Sequence, residues 1–151
     1  MDLIDVLKLV HILAAIVWVG GAFFTSVVGS RMKNADPSHR LGFARMMQFV
    51  SIGVFTPAAI IVLAAGSWMV LDTDLYTFEQ AWIVIGIGVV AISAVMGPTF
   101  FKPTIDKAVA AMEAGDGPAA GALMQRIGLA TRVVIAMQIV AIWAMVAKPG
   151  L

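Results

Sequence analysis

The sequence contains no cysteine among its 151 residues, and only 13% of them are charged. The absence of cysteine excludes disulfides, thiolate metal sites and thiol catalysis. Hydrophobic residues make up 61% of the chain, against about 45–50% in an average soluble domain. A soluble domain of roughly 150 residues buries only about 68–70% of the surface of its unfolded chain, so it could not hide this much apolar area. The composition therefore predicts an integral membrane protein and argues against a soluble enzyme or a disordered chain.

Little net charge is present either: the formal value is +1. A chain with so weak a field has nothing to attract nucleic acid, and we expect no such partner. The opening segment, residues 1–5, lacks the basic region of a signal peptide, so the first apolar run is expected to be retained as a membrane span. We expect the chain to lie in the lipid bilayer of a bacterial inner membrane. A second copy of the chain or another membrane subunit is a candidate partner.

Charged residues bracket four apolar runs, each long enough to cross a bilayer. The predicted spans cover residues 6–28, 46–71, 80–101 and 124–147. Because lipid offers backbone groups no hydrogen-bond partners, these spans are predicted to be helices. Residues 104–114 have a helix-forming composition and should extend span three beyond the membrane. The predicted fold is all-α: one membrane domain over residues 1–151, built as an antiparallel four-helix bundle.

Lysine and arginine are confined to the first and third loops, apart from Lys8, Arg132 and Lys148. The first loop carries Arg31, Lys33, Arg40 and Arg45, and the third carries Lys102, Lys107 and Arg126. By the positive-inside rule these two loops are cytoplasmic, and both termini lie on the outer, periplasmic side. The tryptophans Trp68, Trp82 and Trp143 then fall near the outer boundary, where an aromatic belt is expected.

Two prolines interrupt the predicted spans, Pro57 in span two and Pro98 near the end of span three. Each should kink or loosen its helix, because proline lacks the backbone N–H and its ring collides with the preceding turn. Such kinks are compatible with a cofactor pocket. Acidic residues are missing from the spans, which argues against a transporter built on buried carboxylates.

His11 is the one histidine inside a predicted span. It lies about five residues from the start of that span, roughly 7–8 Å below the boundary at 1.5 Å per residue. Ionisable residues at such depth usually face the bundle interior and often mark function. The same helix face continues through small residues and Trp18, which leaves room for a flat cofactor or for close helix packing. His11 is therefore a candidate metal ligand, with an interhelical hydrogen bond as the alternative.

Three further side chains could share a cofactor site with His11. Lys8, one turn away, could pair with an anionic group such as a haem propionate, or it could snorkel to the lipid headgroups. Met69 and Met145 lie near the outer ends of spans two and four. Their thioethers suit haem iron or Cu(I), although methionine also serves as a flexible filler of apolar cores.

Arg132 is a second charged residue inside a predicted span. It either snorkels to the nearby boundary or pairs inside the bundle. Its candidate polar neighbours are Gln138, Ser51 and Gln48.

Short motifs give the chain a family resemblance. Residues 7–12 (Leu-Lys-Leu-Val-His-Ile) and 18–21 (Trp-Val-Gly-Gly) resemble the first span of the copper-resistance D (CopD) and HemJ-like membrane proteins. Residues 56–58 with 66–69 resemble the second span of HemJ-like proteins, and residues 147–149 are similar to the end of their last span. The resemblance implies a four-helix bundle and, for HemJ-like members, haem b and the oxidation of protoporphyrinogen. His11 matches the first-span histidine, and the resemblance implies that His11 is a haem ligand.

The chain also departs from the HemJ-like pattern. Span three lacks the basic and histidine residues associated with those proteins, and Arg132 stands where an acidic residue is expected. The sequence is therefore nearer to the uncharacterised members of the group. Three functions stay open: haem b binding with electron transfer or HemJ-like oxidation, copper or small-solute handling, and an accessory subunit without cofactor.

Overall fold

The computed structural model describes residues 2–150, and within that range every regular element is a helix. The helices are α1 (Leu3–Met32), α2 (Pro37–Val50), α3 (Thr56–Leu71), α4 (Ala81–Met96), α5 (Lys102–Glu113) and α6 (Gly117–Ala147). Helix α2 continues into α3 through a π-helical turn at Ser51–Phe55, and α4 continues into α5 through another at Gly97–Phe101.

The described residues thus form four long rods, Leu3–Met32, Pro37–Leu71, Ala81–Glu113 and Gly117–Ala147, each long and apolar enough to cross a membrane. The all-α fold with four membrane-spanning helices, predicted from the sequence, is confirmed. The helix predicted over residues 104–114 is present as α5.

The four rods form a closed ring in chain order. Helix α1 packs on α3, α3 also touches α4, α4 packs on α6, and α6 returns to α1. Short connections make consecutive rods antiparallel. We call the end where α1 begins and α6 finishes the terminal end. The opposite end is the basic end, where the lysines and arginines that the sequence assigned to the first and third loops lie, most of them in the ends of the helices.

The two π-helical turns occur where the sequence places Pro57 and Pro98. At the first, the Ser51 carbonyl accepts the Thr56 backbone N–H in an i to i+5 bond, and the Thr56 hydroxyl donates to the same oxygen at 3.0 Å. At the second, the Lys102 N–H donates to the Gly97 carbonyl in the same way. The wider turn gives the proline ring space and keeps carbonyls paired, so the rods loosen without breaking.

Trp82 closes the terminal end of the bundle from within. Its ring is only 7% exposed and meets the Tyr76 ring edge-on, with 5.1 Å between centroids. Lys148 Nζ donates to the Tyr76 hydroxyl at 2.8 Å and lies 5.4 Å from the centroid of the Trp82 ring. Of the three tryptophans predicted near this boundary, Trp68 and Trp143 face outward at 56% exposure each, whereas Trp82 belongs to the core because Tyr76 and Lys148 enclose it.

At the basic end, polar contacts tie α2 to α5. Arg45 donates to the Glu113 carboxylate at 2.7 Å, and Gln48 donates to Asp106 at 2.8 Å. Lys102, one turn before Asp106, donates to its other oxygen at 2.7 Å. The Lys102 ammonium, together with the Gln48 amide, holds the pKa of the Asp106 carboxyl below its usual range.

The exchange Asp106→Asn should lower the melting temperature near neutral pH, because it removes the charge that Lys102 and Gln48 stabilise. A carboxyl with a lowered folded-state pKa stabilises the fold above its unfolded pKa, and this contribution disappears as the pH falls through the folded value. The difference between wild type and variant should therefore shrink below about pH 4. Thermal unfolding in detergent, followed by tryptophan fluorescence over a pH series, measures it. The control is Asp74→Asn at an exposed position; a difference independent of pH would contradict this role.

The exchange Gly86→Val should destabilise the bundle, because the methyl end of Met145 occupies the place where a Cβ at residue 86 would lie. Because this methyl group is the end of a flexible side chain, it can move aside, and the loss of stability should lie near the lower end of the about 1–3 kcal/mol that is typical of overpacking. Gly88 on the same helix has nothing within 4 Å of a built Cβ, so Gly88→Val is the matched control and should leave the melting temperature nearly unchanged. Equal effects of the two exchanges would show that Met145 does not fill this contact.

Candidate functional site

His11 lies on the face of α1 that turns toward the other helices. The buried residues of α1 are Ala14, Trp18 and Ala22, which follow His11 at helical spacing, and His11 itself is half-buried. The face expected from the sequence is therefore the face that the bundle uses.

The ring of His11 is held by a hydrogen bond between two helices. Its Nδ1 lies 2.9 Å from the backbone carbonyl oxygen of Val62 in α3. A Cβ at residue 66 would lie 3.0 Å from His11 Cε1 and 3.2 Å from Nδ1. Glycine at position 66 thus provides the close approach by which the imidazole reaches the carbonyl one turn earlier.

This contact also defines the tautomer of the ring. A carbonyl oxygen can only accept, so Nδ1 carries the hydrogen and donates it to Val62. The other ring nitrogen, Nε2, is then the one available to a second partner. A histidine that ligates a metal is commonly oriented by this kind of bond from Nδ1 to a backbone carbonyl.

The other candidate cofactor residues near the terminal end lie at two different helix interfaces. Lys8 is exposed one turn before His11 on α1, and Met69 is half-buried on α3. Met69 follows Val62 by seven residues, about two helical turns, and so shares its face. Met145 instead packs against Gly86 between α4 and α6. Over residues 2–150, His, Asp and Glu side chains form no group of three that could hold a metal ion.

A large cavity lies between the rods on the basic-end side of Trp18. Its volume is about 760 Å³, and all four rods contribute to its wall. Trp18 on α1 and Gln138 on α6 are the lining residues of those helices farthest from the basic end. The cavity wall includes Trp18 but not His11, so the imidazole and the cavity are separate features of the bundle.

Gln138 is the most deeply buried polar side chain on the cavity wall. It is 1% exposed, and neither its amide nitrogen nor its amide oxygen has a hydrogen-bond partner among the described residues. From the sequence it was only a candidate neighbour of Arg132. The signal that could have singled it out is an amide in an otherwise apolar run, on the face shared by the buried Val134 and Ile135.

Arg132 lines the same cavity as Gln138. The two are six residues apart on α6, about 9 Å along the helix axis. Arg132 forms no ion pair within residues 2–150. Of its other candidate neighbours, Ser51 also lines the cavity, while Gln48 is engaged by Asp106.

Residues 5–149 match the model of a protein family described as a predicted integral membrane protein, DUF2269. The chain belongs to this family. Comparison with curated proteins and with solved structures gives no match. The family match and the four apolar rods together make this DUF2269 member an integral membrane protein that lies in a lipid bilayer. The narrower likeness to CopD and HemJ-like proteins rests on the short motifs described above.

The exchange Gly66→Ala should push the His11 ring by a few tenths of an ångström and weaken its bond to Val62. Interhelical hydrogen bonds in membranes average about 0.6 kcal/mol and reach about 1.7, so a small loss of stability is expected. The sequence has two histidines, which makes nitrogen NMR of histidine-labelled protein a direct readout of the His11 tautomer. Gly20→Ala on α1, where a Cβ meets nothing within 4 Å, is the control. An unchanged His11 signal in Gly66→Ala would contradict the close-approach role of Gly66.

Proposed function

We propose that this membrane bundle binds haem b, with His11 as an axial ligand. The observation that carries the proposal is the bond from His11 Nδ1 to the Val62 carbonyl at 2.9 Å. It holds the ring on the interior face of α1 and leaves Nε2 as the nitrogen for a metal. This orientation is common among metal-ligating histidines, and the same bond is the interhelical contact expected from the sequence as the alternative to a ligand role.

Neighbouring residues supply part of the remaining chemistry. Lys8, one turn along α1, offers a cation to a propionate, and Trp18 offers an aromatic face on the same side of the helix. The second axial position would be filled by Met69, by Met145, by His11 of a second copy of the chain, or left open. Met69 is the better placed methionine, because it lies on the face of α3 that carries Val62, whereas Met145 packs on α4. A bound haem b would supply one-electron redox chemistry.

The fold supports this proposal without limiting it to one activity. Four-helix bundles hold cofactors between facing helices, and the CopD and HemJ resemblance implies electron transfer or porphyrinogen oxidation for such a group. Arg132 belongs to the inner cavity, so the proposed haem site does not include it.

The experiment is a visible absorption spectrum, oxidised and dithionite-reduced, of protein purified gently in detergent. We expect a Soret band that sharpens and shifts on reduction. His11→Ala should lose this band, since the axial ligand is gone, while His39→Ala at an exposed position of α2 should keep it. Met69→Leu should move the reduced bands if the thioether is the second ligand.

A protein that stays colourless after haem supplementation during expression would overturn the proposal. So would a His11→Ala variant with the wild-type spectrum. Either result would direct attention to copper or small-solute handling, tested by metal retention in Met69→Leu and Met145→Leu, or to an accessory subunit, tested by co-purification of a stable partner.

A further inference from the structure

We propose that the inner cavity is a binding site for an amphipathic organic anion, entered from the basic end. In this site the anionic group lies toward Arg132, Lys33 and Arg40. The apolar body lies along the helix walls, and a hydrogen-bonding group at its far end meets Gln138.

The charged residues of the cavity wall favour a negatively charged ligand. Lys33, Arg40 and Arg132 line the cavity, and no aspartate or glutamate does so among residues 2–150. Arg132 forms no ion pair over the same range, so no carboxylate among the described residues neutralises its guanidinium. Lys33 and Arg132 are exposed and Arg40 is half-buried, so together they present a positive rim to an approaching anion.

The hydroxyl groups of the wall contribute little further polarity. Most of them donate to carbonyl oxygens of their own helix, namely those of Thr25, Ser30, Ser51, Thr56, Ser93 and Thr131. Their hydrogens are therefore already engaged. The surface presented to a ligand between the cations and Gln138 is mainly apolar, which suits a hydrocarbon or an aromatic body rather than a sugar or a hydrated ion.

Gln138 requires a partner that the described protein does not provide. Its amide is fully buried, with both polar atoms unpaired. A buried amide without partners destabilises a fold, and an apolar residue of similar shape at this position would be more stable. An unpaired amide at the cavity end opposite Lys33 and Arg40 points to a ligand group that hydrogen-bonds it.

The shape of the cavity suits an elongated molecule. Along α1 its lining runs from Trp18 to Lys33, fifteen residues or about 22 Å of helix. Residues of both π-helical turns, among them Phe55 and Phe101, belong to the wall. Such turns are frequent at functional sites, and here they widen two of the four rods beside the same space.

The test uses ω-hydroxydodecanoate as the probe, with dodecanoate and dodecylamine for comparison. Full-length protein is placed in phosphatidylcholine nanodiscs, and radiolabelled probe is measured by equilibrium dialysis against empty discs. We expect saturable excess binding of ω-hydroxydodecanoate, weaker binding of dodecanoate, and none of dodecylamine.

Two variants separate the two ends of the site. Gln138→Leu should weaken the binding of ω-hydroxydodecanoate by about tenfold, the equivalent of one lost hydrogen bond. It should leave the binding of dodecanoate nearly unchanged. Arg132→Gln should weaken the binding of both carboxylate probes. Arg126→Gln is the matched control, because Arg126 is exposed on the same helix and outside the cavity wall. It should bind like wild type.

Thermal unfolding of the same variants shows that they are folded. Without ligand, Gln138→Leu should melt at or above the wild-type temperature, so weakened binding cannot be ascribed to unfolding. The proposal is overturned if neither carboxylate binds above the level of empty discs. It is also overturned if Arg126→Gln weakens binding as much as Arg132→Gln, or if dodecylamine binds as well as the acids.

Discs that contain phosphatidylglycerol distinguish the source of the anion. If probe binding falls in these discs, an anionic membrane lipid occupies the site, whereas unchanged binding indicates a free amphipathic acid. This site shares Trp18 with the proposed haem site, but variants of His11 and Gln138 separate the two. His11→Ala should leave probe binding intact, and Gln138→Leu should leave the absorption spectrum intact.

Discussion

The interior of a bilayer offers no water to backbone N–H and C=O groups, and the whole structure follows from the need to satisfy them within the chain. Four uninterrupted rods do this over nearly all of their length. The prolines in the second and third rods are accommodated because π-helical turns keep the carbonyls of Ser51 and Gly97 bonded. Hydroxyl side chains obey the same constraint, since they donate to their own helices instead of reaching across the bundle.

Two interior polar side chains, His11 and Gln138, mark the two candidate sites; the indole N–H of the buried Trp82 also has no partner among residues 2–150. His11 bonds to another helix, to a carbonyl that the missing side chain at Gly66 makes accessible. Gln138 bonds to nothing in the described protein. Trp18 lines the cavity, whereas His11, seven residues earlier on the same face of α1, does not. One bundle thus provides an oriented imidazole toward the terminal end and a cation-lined cavity toward the basic end. Under the positive-inside prediction the cavity would open to the cytoplasm.

Small residues determine how closely the rods approach. At Gly66 the missing side chain admits an imidazole, and at Gly86 it admits the methyl group of Met145. Gly88, two residues further along the same helix, faces open space. Identical residues in one helix therefore serve different ends, and their place in the sequence does not reveal which of them is constrained.

The sequence by itself determined the class of the protein, because apolar content and the spacing of charges follow directly from the cost of placing ions in lipid. It determined the four helices and the interior face of α1 for the same reason. Only the tertiary structure decided the partners: that His11 bonds to Val62, that Trp82 is enclosed by Tyr76 and Lys148, and that Arg132 and Gln138 share a cavity. These relations depend on how far each helix slides and rotates against its neighbours. A pattern of hydrophobicity on one helix fixes which face turns inward, but not which atom of another helix it meets.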